Sequence, residues 1–189
     1  SNTSGAAPQC GFDVEPDSGL IVEDVVFDRC QFNSNAAHGL YTIAGSGTTS
    51  HVTFLACTAN NNAQIGLAAS YVNHVIVTAC QARSNGSNGI YVGNCVQAAV
   101  GNCLARANTG AGIKVIQNEG VTVTGCNSYD NLDSGFQLAN GAPVQGLTIM
   151  TGCVGRNNYR RGVALQGVSD VNVSNCQFTL NRNEGIQLY

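Results

Sequence analysis

Seven cysteines recur at near-constant intervals. Cys30, Cys57, Cys80, Cys103, Cys126, Cys153 and Cys176 are separated by 27, 23, 23, 23, 27 and 23 residues. Five residues after each stands an asparagine: Asn35, Asn62, Asn85, Asn108, Asn131, Asn158 and Asn181. Nine residues after each stands a glycine, from Gly39 and Gly66 to Gly162 and Gly185, and an apolar residue follows every one. Such a period leaves few options. Each repeat is one small unit that buries its apolar face only by stacking on its neighbours.

Within a repeat the pattern is that of strands. An alternating run precedes the cysteine, as in Val121-Thr122-Val123 and Val171-Asn172-Val173. A second follows the glycine, as in Gly112-Ile113-Lys114-Val115. Alternation marks a strand with one buried face. Between the two lies a polar Asn/Ser/Gly stretch that reads as a turn. No repeat has a helical apolar period of ten residues. The sequence therefore predicts an all-β parallel β-helix (solenoid) of about seven to eight coils, roughly 23 residues each. Equivalent positions then stack ~4.8 Å apart. The asparagines form a ladder of side-chain amides. The glycines mark a bend where a Cβ would clash or φ is positive. The cysteines form a row of small buried apolar groups.

Nine cysteines raise the question of metal or disulfide. No Cys-x-x-Cys occurs, and 23-residue steps do not assemble a tetrahedral cluster. Stacked cysteines have parallel Cβ vectors at strand spacing, too far apart for a disulfide. Free buried thiols are expected, with Cys10 and Cys95 outside the column. Such thiols suit assembly in a reducing cytoplasm. No cofactor is expected, and no motif supports a calcium ion. Charged residues are only 10% and the net charge is −3, which argues against a nucleic-acid partner. No run of 18 apolar residues occurs, so membrane insertion is not expected.

The Gly-apolar-x-apolar repeats and the asparagine ladder resemble the right-handed parallel β-helix proteins of the pectate-lyase-like superfamily, over residues 11–189. That group includes polysaccharide lyases, alginate C5-epimerases and phage tailspike depolymerases. The resemblance implies a right-handed helix and a polysaccharide partner. It implies function only coarsely, because one fold hosts several chemistries. The chain reads as one domain over 1–189, with 1–9 a tail or expression remnant and 10–189 the coils. Neither end shows a cap, so a segment of a longer protein, or a module that self-associates end to end, is expected. A homotrimer follows from the tailspike resemblance alone.

Three coils are longer than the rest, through insertions at Pro16–Asp24, Ala44–Ser50 and Ala139–Gly146. Insertions on one face of a solenoid commonly wall a binding surface. Outward residues of the post-glycine strands form a column there: Asp13, Tyr41, Ala68, Tyr91, Lys114, Gln137, Ala164 and Gln187. Aromatic, acidic and basic groups in a row suit a sugar chain. Asp13 and Glu15 point to the same side, and His38 and Tyr41 come from the next coil. These four are the candidate catalytic residues. Paired carboxylates serve glycoside hydrolysis. A carboxylate with His and Tyr serves proton abstraction and leaving-group protonation. Tyr91 and Lys114 are candidate substrate contacts. So are Arg83 and Arg106, which stack three residues after their cysteines and suit an acidic sugar. Purely structural roles remain open for all of these: solubility of the first coil for the acids, a solvated turn for the arginines. His51 and His74 are expected to stack on each other at a corner.

Alginate epimerases carry a Tyr-Gly-Phe-Asp-Pro-His-Glu motif, and Cys10-Gly11-Phe12-Asp13-Val14-Glu15-Pro16 is similar to it. Asp13 looks like their catalytic aspartate. The tyrosine and histidine differ, so epimerase chemistry needs Tyr41 and His38 in their place. Three functions follow as expectations: a depolymerase or lyase of a bacterial or acidic polysaccharide, a non-catalytic glycan-binding or structural shaft, and a uronan C5-epimerase.

Overall fold

The computed structural model describes residues 10–43, 48–116, 119–139 and 146–189. Among them no helix forms, and the chain winds as a solenoid with three parallel sheets. Sheet A holds eight strands, from Phe12–Val14 and Leu40–Ile43 to Val163–Gln166 and Ile186–Leu188. Sheet B holds seven, from Ile21–Asp28 and Thr48–Leu55 to Val171–Ser174. Sheet C holds six, from Thr58–Asn60 to Gln177–Thr179. One coil runs through His74–Thr78 in B, Gln81–Arg83 in C and Ile90–Gly93 in A.

Sheet C corrects the expected polar turn between two strands. Each of its strands has three residues, and only the middle one faces inward. Ala59, Ala82, Ala105 and Ser128 fill that position, and all are buried. One small inward residue is too short a signal to read as alternation.

The core is a set of stacked columns. Leu40, Leu67, Ile90, Ile113, Phe136 and Val163 come from sheet A, and Phe54, Val77, Val100, Val123 and Met150 from sheet B. Each such side chain contributes roughly 1.5–3 kcal/mol by leaving water. The cysteine column completes the core. Cys57, Cys80, Cys103, Cys126 and Cys153 are buried, and none of the nine cysteines is in a disulfide. Their thiols reach backbone carbonyls, as Cys80 Sγ does at Thr78 O (3.3 Å) and Phe54 O (3.4 Å). Hydrogen bonding between column thiols, with burial, pushes Cys57, Cys103 and Cys153 up. Burial pushes Cys95 up to about 11.

The asparagines form the expected ladder. Asn85 Nδ2 donates to Asn108 Oδ1 (2.9 Å) and to Ala59 O (2.9 Å), while its backbone N–H reaches the same Oδ1 (3.1 Å). The pattern runs from Asn35 through Asn181, so buried amides satisfy one another.

The glycine column matches half of its expectation. A Cβ on Gly89 would lie 2.7 Å from both Asn108 Nδ2 and Gly112 O, so only hydrogen fits. Positive φ falls elsewhere. The residue before each column cysteine, from Arg29 to Asn175, is left-handed, and so is the residue before each ladder asparagine, from Ser34 to Leu180. Two single-residue corners per coil thus fold the chain from B to C and from C toward A.

The first two insertions are not loops alone. They lengthen sheet B to eight-residue strands, Ile21–Asp28 and Thr48–Leu55. Residues 44–47 of the second insertion and 140–145 of the third lie outside the described residues.

Candidate functional site on the outer face of sheet A

The outward column of sheet A exists in the expected register. Asp13 pairs with Tyr41, Tyr41 with Ala68, Ala68 with Tyr91 and Tyr91 with Lys114. Gln137, Ala164 and Gln187 continue it. Four steps at strand spacing put Lys114 ~19 Å from Asp13. Ala68 faces outward yet is fully buried, because its methyl lies between two tyrosine rungs.

At the first two coils the column becomes a cluster. The His38 ring stacks on Tyr41, with centroids 4.8 Å apart and planes 15° from parallel. His38 Nδ1 accepts the Ile65 N–H at 3.3 Å, which leaves Nε2 to carry the proton. Burial pushes His38 below the ordinary imidazole range, so it is neutral at pH 7. Burial and then the charge of Glu15 push Asp13 above the ordinary carboxylate range. Burial and then Asp13 and Glu15 push Tyr41 up. Asp13, Glu15 and Tyr41 therefore sense one another across two adjacent coils, and His38 joins them through its stack on Tyr41. The arrangement offers two carboxylates, one of which holds its proton more tightly than usual, beside a neutral imidazole and a phenol. Those are the parts of general acid–base chemistry.

Three further side chains join the cluster that sequence reasoning did not nominate. Cys10 lies beside His38 and Asp13, and burial pushes its thiol up. Tyr71 is exposed, at a left-handed corner, and adds to the shifts of Tyr41 and Tyr91. Ser70 bonds Tyr91, whose phenol burial pushes up. Tyr71 and Ser70 were legible only through the register, one coil below Tyr91.

Arg83 and Arg106 are adjacent rungs, but on sheet C. The structure separates them from the other six nominated residues. Arg106 lies 5.1 Å over the Tyr129 ring and Arg156 lies 5.9 Å on it. Arg106 Nε also pairs with Asp130 Oδ2 at 3.1 Å. His51 and His74 stack as expected, 4.9 Å apart and 8° from parallel, on strands of sheet B. They edge a groove of about 500 Å³ over sheet B, floored by Ile76, Ala99, Thr122 and Ile149. Outward apolar residues such as Ile76 were its signal in the sequence. Among the described residues, no three His, Cys, Asp or Glu side chains gather as a metal site. No helix among them is long and apolar enough to cross a membrane.

A family model described as the right handed beta helix region matches residues 2–149 and 49–189. The chain belongs to that family. Among solved structures it is similar to the periplasmic alginate epimerase AlgG, with a TM-score of 0.66 and 12% identity, over 95% of this chain and 47% of that one. It is also similar to the A-module of the Azotobacter vinelandii mannuronan C-5 epimerase AlgE4, with a TM-score of 0.54 and 16% identity, over 94% and 55%. The chain thus spans about half the length of each. At these identities the likeness establishes the fold alone. No curated protein matches the sequence.

Proposed function

We propose that this chain binds a polysaccharide along the outer face of sheet A and cleaves it at the first two coils. The observation that carries the reading is the Asp13–Tyr41 rung with His38 stacked on Tyr41 and Glu15 alongside. Asp13 and Glu15 serve as acid and base, Tyr41 and His38 as proton partners, and Tyr91 as a platform for a sugar ring. Lys114 lies further along the same track. The reading is supported by the solved neighbours, which are named as alginate and mannuronan epimerases, and by the similarity of Gly11-Phe12-Asp13 to the epimerase motif. A depolymerase or lyase reading fits the site better than epimerisation, since Val14 and Glu15 stand where the motif has Pro and His.

The test is incubation with a panel of bacterial surface and acidic polysaccharides, following reducing ends and ultraviolet-absorbing unsaturated ends together. Asp13→Asn is expected to abolish turnover while the circular dichroism stays unchanged. Full activity in that variant removes the site assignment. Silence on both channels with retained binding replaces cleavage by a glycan-binding shaft.

A further inference from the structure

Charge is distributed unevenly along the rod. Residues 30–82 contain no Lys or Arg and no Asp or Glu, so the second and third coils are uncharged apart from histidines. Before them stand Asp13, Glu15, Asp17, Glu23, Asp24 and Asp28, with Arg29 as the one cation, and Arg29 pairs with Asp28 at 2.8 Å. On sheet A the first cation is Lys114, four rungs from Asp13. Arg83 and Arg106 face away from this track on sheet C.

A sugar carboxylate at the Asp13 or Tyr41 rung would meet the Glu15 carboxylate, and that of Asp13 whenever it is ionised, with no cation beside them, and like charges brought together disfavour a ligand. The chemistry points the same way. Elimination and C5-epimerisation of a uronate both begin by removing the proton from the carbon that bears the carboxylate. The negative charge that develops on that carboxylate is received most strongly by a cation or a metal, with neutral donors such as Tyr and His the weaker substitute. The sheet A strands of the first three coils, Phe12–Val14, Leu40–Ile43 and Leu67–Ser70, carry neither a Lys nor an Arg. Hydrolysis needs no such cation. It needs two carboxyl groups and a water.

We infer that the track from Asp13 to Tyr91 takes a polysaccharide whose sugars are uncharged around the bond cut, and that the cut is hydrolytic. The inference rests on the proposed polysaccharide-cleaving role and narrows it. In the step, the water oxygen bonds to the anomeric carbon as the glycosidic C–O bond breaks. Asp13 gives its proton to the departing oxygen, and Glu15 takes the proton released by the water. A carboxylate-bearing sugar is accommodated only at the Lys114 end.

The experiment uses the full chain at neutral pH and low ionic strength. The probes are polygalacturonate, alginate and acidic bacterial capsular polysaccharides, each paired with its own carboxyl-reduced form, alongside neutral bacterial polysaccharides, with and without calcium. Binding is followed by affinity electrophoresis. The expected result is at least tenfold tighter binding of an uncharged polymer than of its acidic parent, with reducing ends and no unsaturated ends. A preference for an acidic parent, or unsaturated ends, overturns this inference and leaves polysaccharide cleavage standing. No binding or turnover of any polymer overturns both. Tyr71→Lys places a cation beside Tyr41 and Tyr91, and is expected to narrow the preference about tenfold without changing the circular dichroism. An unchanged preference in the folded variant overturns charge as its cause.

Discussion

The inside corner of the solenoid and the outer face of sheet A are built by the same stacking, yet they look opposite. At the corner successive coils supply an asparagine, and from Asn35 to Asn158 each amide is buried and bonded to the next. On the face successive coils supply Asp13, Tyr41, Ala68, Tyr91 and Lys114, with no two neighbours alike. Burial explains the difference. A buried amide has no water to fall back on, so its neighbour must complement it. An outward side chain has solvent, so the stack fixes its position and leaves its identity open. The place where repetition lapses is where chemistry is affordable.

The largest break in this contrast is expected from Asn108→Ala. It removes the acceptor for Asn85 and the donor to Asn131 Oδ1 and Ala82 O, leaving buried groups unpaired. The cost is about 3–4 kcal/mol by urea unfolding. Asn181→Ala, in a half-buried rung that donates to Gly155 O, is expected to cost about half as much. Equal losses would mean that burial does not set the value of a rung.

A smaller effect comes from pH. His38 is depressed by burial, so its contribution to stability is complete above about pH 6.5 and is lost as pH falls through its lower folded value. Acidification should therefore lower the midpoint of unfolding, and His38→Gln should flatten that dependence. A slope unchanged by the substitution would separate His38 from the titration.

Asp13 works in the other direction. Its raised value means that its ionised form destabilises the fold, so Asp13→Asn should stabilise slightly at pH 7. The gain should be under ~0.5 kcal/mol, because the carboxyl is largely exposed and screened. It should vanish below about pH 4, where the wild-type group is protonated. Destabilisation at pH 7 would make Asp13 a structural residue.

An effect of the same small size belongs to Arg106→Ala. Its pair with Asp130 is half exposed, and a loss of about 0.5 kcal/mol or less is expected by thermal unfolding.

The buried columns were legible in the sequence because burial had made them uniform. The period in Cys57, Cys80 and Cys103 announces the coils, and the glycine offset puts Asp13, Tyr41 and Tyr91 on one face. Sheet C was hidden, since Gln81-Ala82-Arg83 shows one small inward residue between two polar ones. The left-handed corners were hidden for another reason. Asn, Asp or Gly holds some of them, such as Asn61, Asn102 and Gly125, but Arg29, Ala56, Ala79 and Leu180 hold others, so no uniform column marks the corners. Hydrogen bonds from coil to coil impose the conformation there, as Ala79 N–H does to Gly101 O at 3.0 Å. Arg83 and Arg106 form a column of their own in the sequence, and sheet C is what sets it apart from the acids.

The constant rise of the coils makes the rod a ruler. Excising one 23-residue period, such as residues 81–103, would rejoin the asparagine, glycine and cysteine columns without a gap. The interior would register only a shorter stack. On the outside, the Tyr91 rung would vanish and Lys114 would move one notch, ~4.8 Å, closer to Asp13. Spacing between charged groups on this surface is therefore counted in whole coils, and a lineage can retune its reach along a sugar chain by gaining or losing turns rather than by redesigning a pocket.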